Sequence, residues 1–237
     1  TSGFSSYKDN MGEVLNQGFE LQVRGEVFRN RDWLVALWGN MAHNKNKIVK
    51  ISDSQRAYNQ RVKDFYQKGI VDMNYNGYEP QYAVPISQYE EGQSLTSIWA
   101  VKSLGIDPAT GKEIFLNRDG SVSDTWNATQ EVAVGNTEPK FNGSIGFNAA
   151  YKQWSLFAAF QYEWGGQEYN QTLVDRVENA RIQYQNVDLR VLTDRWKQPG
   201  DIAQFKDIKN ADNVTMPTSR FVQDKAYLRL SALTLSY

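Results

Sequence analysis

Residues 18–40, GFELQVRGEVFRNRDWLVALWGN, restrict the possible folds more than any other stretch, because their first half alternates between apolar and polar side chains. The apolar set is Phe19, Leu21, Val23 and Val27, and the polar set between them is Glu20, Gln22, Arg24 and Glu26. Successive side chains of a strand point to opposite faces, so this period predicts a strand with one apolar and one polar face. Soluble sheets and membrane β-barrels both contain such strands.

The lengths of the connections favour the barrel. The pattern predicts strands at about 18–28, 33–44, 143–151, 154–164 and 226–237. Short turns at 29–32 and 152–153 alternate with long connections at 45–142 and 165–225. Most loops of a soluble sandwich are short, whereas outer-membrane barrels combine short periplasmic turns with long extracellular loops. The sequence therefore predicts an all-β chain, an antiparallel transmembrane β-barrel fragment whose long extracellular loops contain short helices and hairpins.

Aromatic residues flank both predicted short turns, with Phe28 and Trp33 at the first and Tyr151 and Trp154 at the second. Amphipathic rings prefer the water–lipid boundary, so these pairs predict an aromatic girdle. We expect the apolar set of the first strand to face lipid and its polar set to face the lumen. The second strand stays open, because Trp33, Val35 and Leu37 compete with Leu34, Ala36 and Trp38 for the lipid face. The last strand has leucines on both parities, which a bulge would reconcile.

Composition limits the alternatives. The net charge of −1 gives no strong attraction to nucleic acid, and the mean hydropathy is −0.61. No run approaches the roughly 20 apolar residues of a membrane-spanning helix. The chain has no cysteine, which excludes disulfides, thiolate metal sites and a cysteine nucleophile. Aromatic residues make up 13% of the chain, a share that also fits a secreted β-sandwich that binds carbohydrate, the main alternative.

The long connections contain secondary structure of their own. The first long connection predicts a polar helix from Ser52 or Asp53 to Gly69, in the segment SDSQRAYNQRVKDFYQKG. GIDPATGKEIFLNRDGSV predicts a hairpin in which residues 114–116 form a strand and Asp119-Gly120 a turn. Residues 172–196 include helix-compatible stretches that end before Pro199-Gly200.

The sequence predicts neither an enzyme nor a metal or cofactor site. His43 is the single histidine, so a zinc site is disfavoured, and no nucleotide-binding glycine loop is present. Asn117, Asp119 and Asp124 do not have the spacing of an EF-hand loop and are interpreted as solvated turn residues. Loop carboxylates could in principle form a glycoside hydrolase pair, which is a less favoured alternative.

Four glycosylation sequons are interpreted as chance occurrences: Asn127, Asn142, Asn170 and Asn213.

Aromatic residues in or beside the long connections are the candidate ligand-binding residues. The predicted set is Trp99, Trp126, Tyr169 and Trp196, and Trp164 lies in a similar position. Such rings could stack on a sugar or contact a partner protein. The alternative is that they pack the long connections together.

Several strings resemble one family. They are GEVLNQGFELQV followed by GNMAHNKNKIV, then KSLGIDPATGKEIFLNRDG, VGNTEPKFNGSIGF, DRWKQPGD and RFVQDKAYLRLSALTLSY. In this order they resemble the SusC/RagA family of TonB-dependent outer-membrane receptors of Bacteroidota, and they extend over most of the chain.

The resemblance implies a barrel of about 22 strands with an N-terminal plug. Residues 1–237 would be part of its C-terminal barrel, with the plug and signal peptide outside this chain. It further implies localisation in the outer membrane and import of oligosaccharides or peptides. The implied partners are a SusD-like surface lipoprotein acting as a lid, TonB through the N-terminal part, and outer-membrane lipid. The two long connections would then face the lid and the ligand.

Overall fold

The computed structural model describes residues 12–77, 79–184, 186–210 and 214–237. They form two compact units, and each is treated separately here. The strand unit consists of residues 15–47, 136–167 and 224–237. The described part of the loop unit consists of residues 12–14, 48–135 and 168–223, without the gaps given above.

The regular elements are, in chain order, β1 (Gly12–Arg29), β2 (Trp33–Ile51), α1 (Asp53–Asn76), β3 (Ser97–Ala100), β4 (Lys102–Ile106), β5 (Glu113–Leu116), β6 (Val122–Ser123), β7 (Val132–Asn136), β8 (Phe141–Tyr151), β9 (Trp154–Tyr169), α2 (Gln171–Leu173), α3 (Arg190–Thr193) and β10 (Val222–Ser236). A π-helical turn at Val174–Glu178 follows α2 directly.

The five long strands form one sheet in the order β1-β2-β8-β9-β10, and β8 pairs antiparallel with both β2 and β9. All five strands predicted from the sequence are present. Among the described residues the sheet is open, with β1 and β10 at its edges, so the predicted barrel is not seen as a closed structure. No helix in the described ranges is both long enough and apolar enough to cross a bilayer.

The strands extend further at the loop end than the sequence predicted. β2 continues past residue 44 to Ile51 through the polar run Asn44–Lys47. The amides of Asn44 and Asn46 each donate to Glu138 over 2.6 Å, so these polar residues have partners while the strand continues. β9 similarly extends to Tyr169 instead of residue 164.

The two short turns have local explanations. Asn30 Oδ1 accepts from the backbone N–H groups of Asp32 and Trp33 over 3.0 and 2.8 Å, which closes the first turn. Lys152 has a φ of 52° in the two-residue turn between Tyr151 and Trp154. Positive φ values are typical of the tight hairpins whose twist matches that of the flanking strands.

Helix α1 begins where the sequence predicted and ends later. Ser52 caps it, and the reciprocal bonds between Ser52 and Gln55 form a capping box. The predicted end at Gly69 is wrong, because the helix continues to Asn76 and is capped by Gly77. A Cβ atom on Gly69 would lie 2.4 Å from the Tyr82 ring, so this glycine allows close packing and does not end the helix.

The predicted hairpin is confirmed: β4 pairs with β5, and β5 pairs with β6 across the Asp119-Gly120 turn. In the described part of the helix-compatible stretch at 172–196, the helical pieces are short, namely the end of α2, the π-helical turn and α3. Two apolar clusters form the core of the loop unit. One is centred on Val174, Val177 and Phe221, and the other on Tyr66 and Tyr82.

A buried ion network ties sequence-distant parts of the loop unit together. The Arg220 guanidinium contacts Glu113 on β5 over 2.8 Å and Glu178 over 2.6 Å. The side chain of Glu178 is fully buried. Burial by itself raises the pKa of this carboxyl, but the Arg220 guanidinium together with the charges of Lys206 and Arg195 outweighs it and holds the pKa below the usual value. Burial also lowers the pKa of Lys206, which donates to Thr215 over 2.8 Å, to about 8.

Candidate functional site

The register of the sheet collects apolar side chains on one face. Directly opposed residues of an antiparallel pair share a face. Trp33, Val35 and Leu37 of β2 oppose Tyr151, Ala149 and Phe147 of β8, which in turn oppose Trp154, Leu156 and Ala158 of β9. The sequence left open which residues of the second strand belong to the apolar face. The register assigns Trp33, Val35 and Leu37 to it. We call this surface the apolar strip.

The first strand contributes to the same surface. The Phe19 ring contacts the His43 ring at 5.5 Å, and His43 contacts Phe141 at 5.4 Å. His43 shares the parity of Val35 and Leu37, which places Phe19 on the apolar strip. Strand alternation then places Leu21, Val23 and Val27 on it as well. Their side chains are 51–59% exposed, together with that of Phe19.

Two rows of aromatic rings bound the apolar strip. The turn-end row consists of Trp33, Tyr151, Trp154 and Tyr237, with centroid distances of 4.5 Å for Trp33–Tyr151 and 4.7 Å for Trp154–Tyr237. The loop-end row consists of Phe19, His43, Phe141 and Trp164, with 6.5 Å between Phe141 and Trp164. The sequence predicted Trp33, Tyr151 and Trp154 of the first row from the turn-flanking residues, but not Tyr237, and gave no sign of the second row. Phe28, which was also predicted for the first row, has the opposite parity to Val27 on β1, so strand alternation places it on the other face.

The spacing of the two rows matches the thickness of a bilayer core. On β2, β8 and β9 the rows lie ten residues apart: Trp33 to His43, Phe141 to Tyr151 and Trp154 to Trp164. Ten residues extend over about 33 Å of strand. At the strand tilt of roughly 40° found in outer-membrane barrels, this becomes about 25 Å, the height of their apolar band.

The opposite face of the sheet is mostly polar. It carries the predicted lumen set of β1, Asn148 and Ser144 of β8, and Gln161 and Glu163 of β9. Its main exceptions, Trp38 and Phe157, stack with an interplanar angle of 10°. The Trp38 ring lies across Gly146, where a Cβ atom would be 2.4 Å from the indole.

Strand β10 contributes to both faces. Tyr227 and Arg229 donate to Glu163 and Gln161 on the polar face, whereas Tyr237 contacts Trp154 on the apolar strip. Residues 227, 229 and 237 have the same parity, so one regular register does not satisfy all three contacts. A bulge, which would also reconcile the leucines on both parities of this strand, would produce such contacts.

The four aromatic residues predicted to bind ligand lie in separate packing environments of the loop unit. Trp99 is 1% exposed on β3, and the Trp126 indole donates to the Pro217 carbonyl over 2.8 Å. The Tyr169 ring meets Phe221 edge-on at 6.0 Å. The structure does not bring the four rings into one cluster, and the packing alternative accounts for these contacts. Their role in ligand binding stays a prediction.

Trp196 explains why two motifs of the family resemblance occur together. Its indole donates to the Pro108 carbonyl over 2.9 Å and lies against Gly111. Gly111 has a φ of +69°, and a Cβ atom there would approach the indole to 2.6 Å. The DPATG turn and the DRWKQPG segment therefore pack on each other.

The other polar candidates have local partners. Asp119 accepts from the Ser121 backbone N–H over 2.9 Å, and Asp124 pairs with Lys112 over 3.0 Å. His43 Nδ1 lies 2.6 Å from the Lys140 carbonyl. Three sequons are placed as follows: Asn127 caps a 3₁₀ turn, Asn170 caps α2 and Asn142 lies on β8. Asn213 lies outside the described residues.

Sequence reasoning missed an exposed apolar surface beside Trp196. Its members lie in the connection from β9 to β10: Ile182 (60% exposed), Leu189 (73%), Leu192 (67%) and Ile202 (95%). Three of them, Ile182, Leu189 and Leu192, line a cavity of about 580 Å³ with Trp196. We call this the β9–β10 apolar surface. Soluble surfaces rarely expose contiguous apolar patches unless they bind something.

A second missed residue is Glu131, a buried carboxylate of the loop unit. It is 1% exposed and accepts a bond from Gln88, while its Oε1 has no hydrogen-bond partner among the described residues. Burial raises the pKa of Glu131 to about 7, against the opposing effects of the Gln88 bond and the Lys63 and Arg118 charges.

This burial makes the loop unit pH-sensitive. The pKa of Glu131 in the folded state lies above its ordinary 4.5. Its contribution to the stability of the loop unit is therefore fully present below about pH 4.5 and is lost as the pH rises through 7. We expect Glu131→Gln to stabilise the loop unit at pH 8.5 by on the order of 3 kcal/mol and to change little at pH 4. Hydrogen exchange of residues 128–136 measures this, with the exposed Glu168→Gln as control. A pH-independent effect of Glu131→Gln would contradict the assignment.

The geometry defines a mostly β chain with a two-faced antiparallel sheet, and comparisons with known proteins place it further. Two TonB-dependent receptors of Formosa agariphila align with the whole chain. Receptor P3 is 25% identical over 244 residues, and receptor P39 is 20% identical over 270 residues. The chain spans about a quarter of the length of these relatives, 23% and 25%. No family model matches the chain.

Solved structures show the same fold. The RagAB peptide transporter matches with a TM-score of 0.70 at 21% identity, over 99% of this chain and 24% of that chain. The RagAB peptide importer in its "closed-closed" state matches with a TM-score of 0.65. The antiparallel sheets thus align with part of the RagA barrel.

The chain is a distant homologue of SusC/RagA-type TonB-dependent receptors over about a quarter of their length, which confirms the resemblance seen in the sequence. These homologues are transporters and not enzymes, in agreement with the prediction that the chain catalyses no reaction.

Proposed function

We propose that residues 1–237 are part of the C-terminal barrel of a TonB-dependent import receptor in the outer membrane. The observation that carries the proposal is the apolar strip between two aromatic rows, ten residues apart on three strands. Lipid contact explains why a face with Leu37, Val23 and Phe147 carries aromatic rings at both ends. The polar face then lines the lumen, and the long connections lie on the extracellular side.

The edges of the sheet support closure through further strands. β1 has 18 residues and β10 has 15, and both lie at an edge among the described residues. Long unpaired edges inside a membrane would leave backbone N–H and C=O groups unsatisfied in lipid. A complete barrel, to which this chain contributes five strands, removes those edges.

The proposed activity is binding and translocation of a peptide or an oligosaccharide, with energy delivered through TonB and the plug. Homology to a TonB-dependent receptor and structural similarity to a peptide transporter support the class of activity. To test it, cells lacking the receptor are compared with complemented cells for uptake of labelled peptides and oligosaccharides. Loss of uptake in both the deletion strain and a TonB-deficient strain is expected. Uptake that persists in both would contradict the proposal.

A SusD-like lipoprotein is the proposed partner, and the β9–β10 apolar surface is its proposed contact. Ile202 is 95% exposed and Leu192 is 67% exposed, in a connection placed on the extracellular side by the proposed topology. The buried centre of a protein–protein interface is more apolar than its rim. A lid protein that covers this surface would remove it from water.

A paired substitution tests the contact. We expect Leu192→Asp with Ile202→Asp to reduce co-purification of the lipoprotein by about tenfold or more, because two carboxylates would be desolvated in the interface. Leu104→Asp with Val122→Asp is the matched control, since both residues are also exposed in the loop unit, at 55% and 61%. Equal recovery of the lipoprotein with both pairs would show that the partner binds elsewhere.

A further inference from the structure

A groove opens at the loop end of the strand unit, between the ends of β8, β9 and β10. Its volume is about 440 Å³. The side chains that matter for its chemistry are Glu138, Lys140, Trp164, Gln167, Asp224 and Lys225. None of them belongs to the ligand-binding set predicted from the sequence.

Trp164 places this groove at the boundary of the apolar strip. Its ring belongs to the loop-end row, contacts Phe141 at 6.5 Å and is 68% exposed. One side of the groove therefore continues into an apolar surface, and its other walls are polar. An amphiphilic ligand with a polar head and apolar chains matches this change in surface character.

The carboxylates of the groove already have hydrogen-bond donors. Glu138 accepts from the amides of Asn44 and Asn46, each over 2.6 Å. Asp224 accepts from the Gln167 amide over 3.1 Å. These bonds fix the two carboxylates and leave their remaining lone pairs as acceptors toward the groove.

The two lysines differ from the carboxylates, because Lys140 and Lys225 form no salt bridge within the described residues. The Lys140 stem lies against the backbone of Gly165. A Cβ atom on Gly165, whose φ is +80°, would lie 2.9 Å from three carbons of that side chain. Two exposed ammonium groups thus lie beside an exposed indole and fixed acceptors.

We propose that this groove binds the phosphorylated sugar head group of a glycolipid in the outer leaflet, with its acyl chains along the apolar strip. The ammonium groups of Lys140 and Lys225 would pair with phosphate, since charge-assisted bonds to phosphate are the strong ones. The carboxylates would accept hydrogen bonds from sugar hydroxyls, and the amides would donate to and accept from them. The Trp164 ring would lie against the sugar. The proposal rests on the proposed membrane location.

Native mass spectrometry of the detergent-solubilised receptor with diphosphoryl lipid A tests the proposal. We expect Lys140→Met with Lys225→Met to weaken lipid A binding by about tenfold or more. Lys152→Met, which removes an exposed lysine at the turn end, should leave it within about twofold. Trp164→Ala should weaken binding of both diphosphoryl and dephosphorylated lipid A, whereas the lysine pair should affect only the phosphorylated form.

The inference would be overturned by unchanged lipid A binding in the lysine pair, by equal losses in the lysine pair and Lys152→Met, or by complete competition by millimolar inorganic phosphate. The last result would identify a site for free phosphate. Phosphatidylglycerol binding with the same dependence on both lysines would also overturn it, because a sugar head group would not be required. Membrane insertion of each variant is measured in parallel. If the variants insert normally and lipid A binding does not depend on the two lysines, this inference alone is rejected. If the wild-type chain stays in solution without detergent or lipid, the proposed function is rejected.

Discussion

Val23→Arg is expected to impair insertion of the receptor into the outer membrane by about 2–4 kcal/mol, the cost of an arginine on the lipid face near the bilayer midplane. Val23 is 59% exposed and lies four residues from Phe19 of the loop-end row. The two rows bound a band of about 25 Å, which places Val23 close to its middle. Folding into vesicles of defined composition, followed by urea titration, measures the change.

Gln22→Arg is the matched control, because the neighbouring residue points to the opposite face by strand alternation. An arginine there would face the lumen, and little change in insertion is expected. Equal tolerance of arginine at both positions would show that the two faces of β1 do not differ in their surroundings.

Arg220→Met should destabilise the loop unit by about 3–5 kcal/mol, the range found when one partner of a buried ion pair is removed. Arg220 contacts both Glu113 and Glu178 at distances below 3 Å, and the side chains of both carboxylates are at most 8% exposed. Its loss leaves two buried negative charges close together. Hydrogen exchange in residues 102–116 and 174–179 reports this destabilisation.

The control for this network is Arg190→Met. Arg190 pairs with Asp188 over 2.8 Å, but the two side chains are 47% and 35% exposed and the pair is screened by water. No measurable change in exchange is expected. Adding Glu113→Gln and Glu178→Gln to Arg220→Met should recover part of the lost stability, since the buried charges are then removed. A triple variant no more stable than Arg220→Met would contradict the electrostatic explanation.

The sequence predicted the strands because their alternation is local. A side chain's face depends only on parity, so Phe19 and Val23 could be assigned from β1 alone. The second strand could not be assigned, since it is apolar on both parities, and only its register with Tyr151 and Ala149 resolves the choice. The loop-end aromatic row likewise depends on the pairing of Phe141 with Trp164, two residues far apart in the chain.

The loop unit was less predictable for the same reason. Gly69 resembles a helix stop, yet contact with Tyr82 explains it, and that contact is not visible in the helix sequence. Glu113 and Arg220 are 107 residues apart, so no local pattern links them. Loop tryptophans resemble ligand platforms in composition, but the burial of Trp99 and the cover that Trp196 forms over Gly111 arise from tertiary packing.

The central claim, that one face of this sheet contacts lipid, is tested most directly by single-cysteine scanning of residues 19–27. The 237 residues contain no cysteine, so each introduced thiol is read without background from this chain. In membranes, cysteines at odd-numbered positions should resist a water-soluble maleimide, and fluorophores attached to them should be quenched by a lipid-phase quencher. Cysteines at even-numbered positions should react with the maleimide. Uniform reaction at all nine positions would contradict the claim.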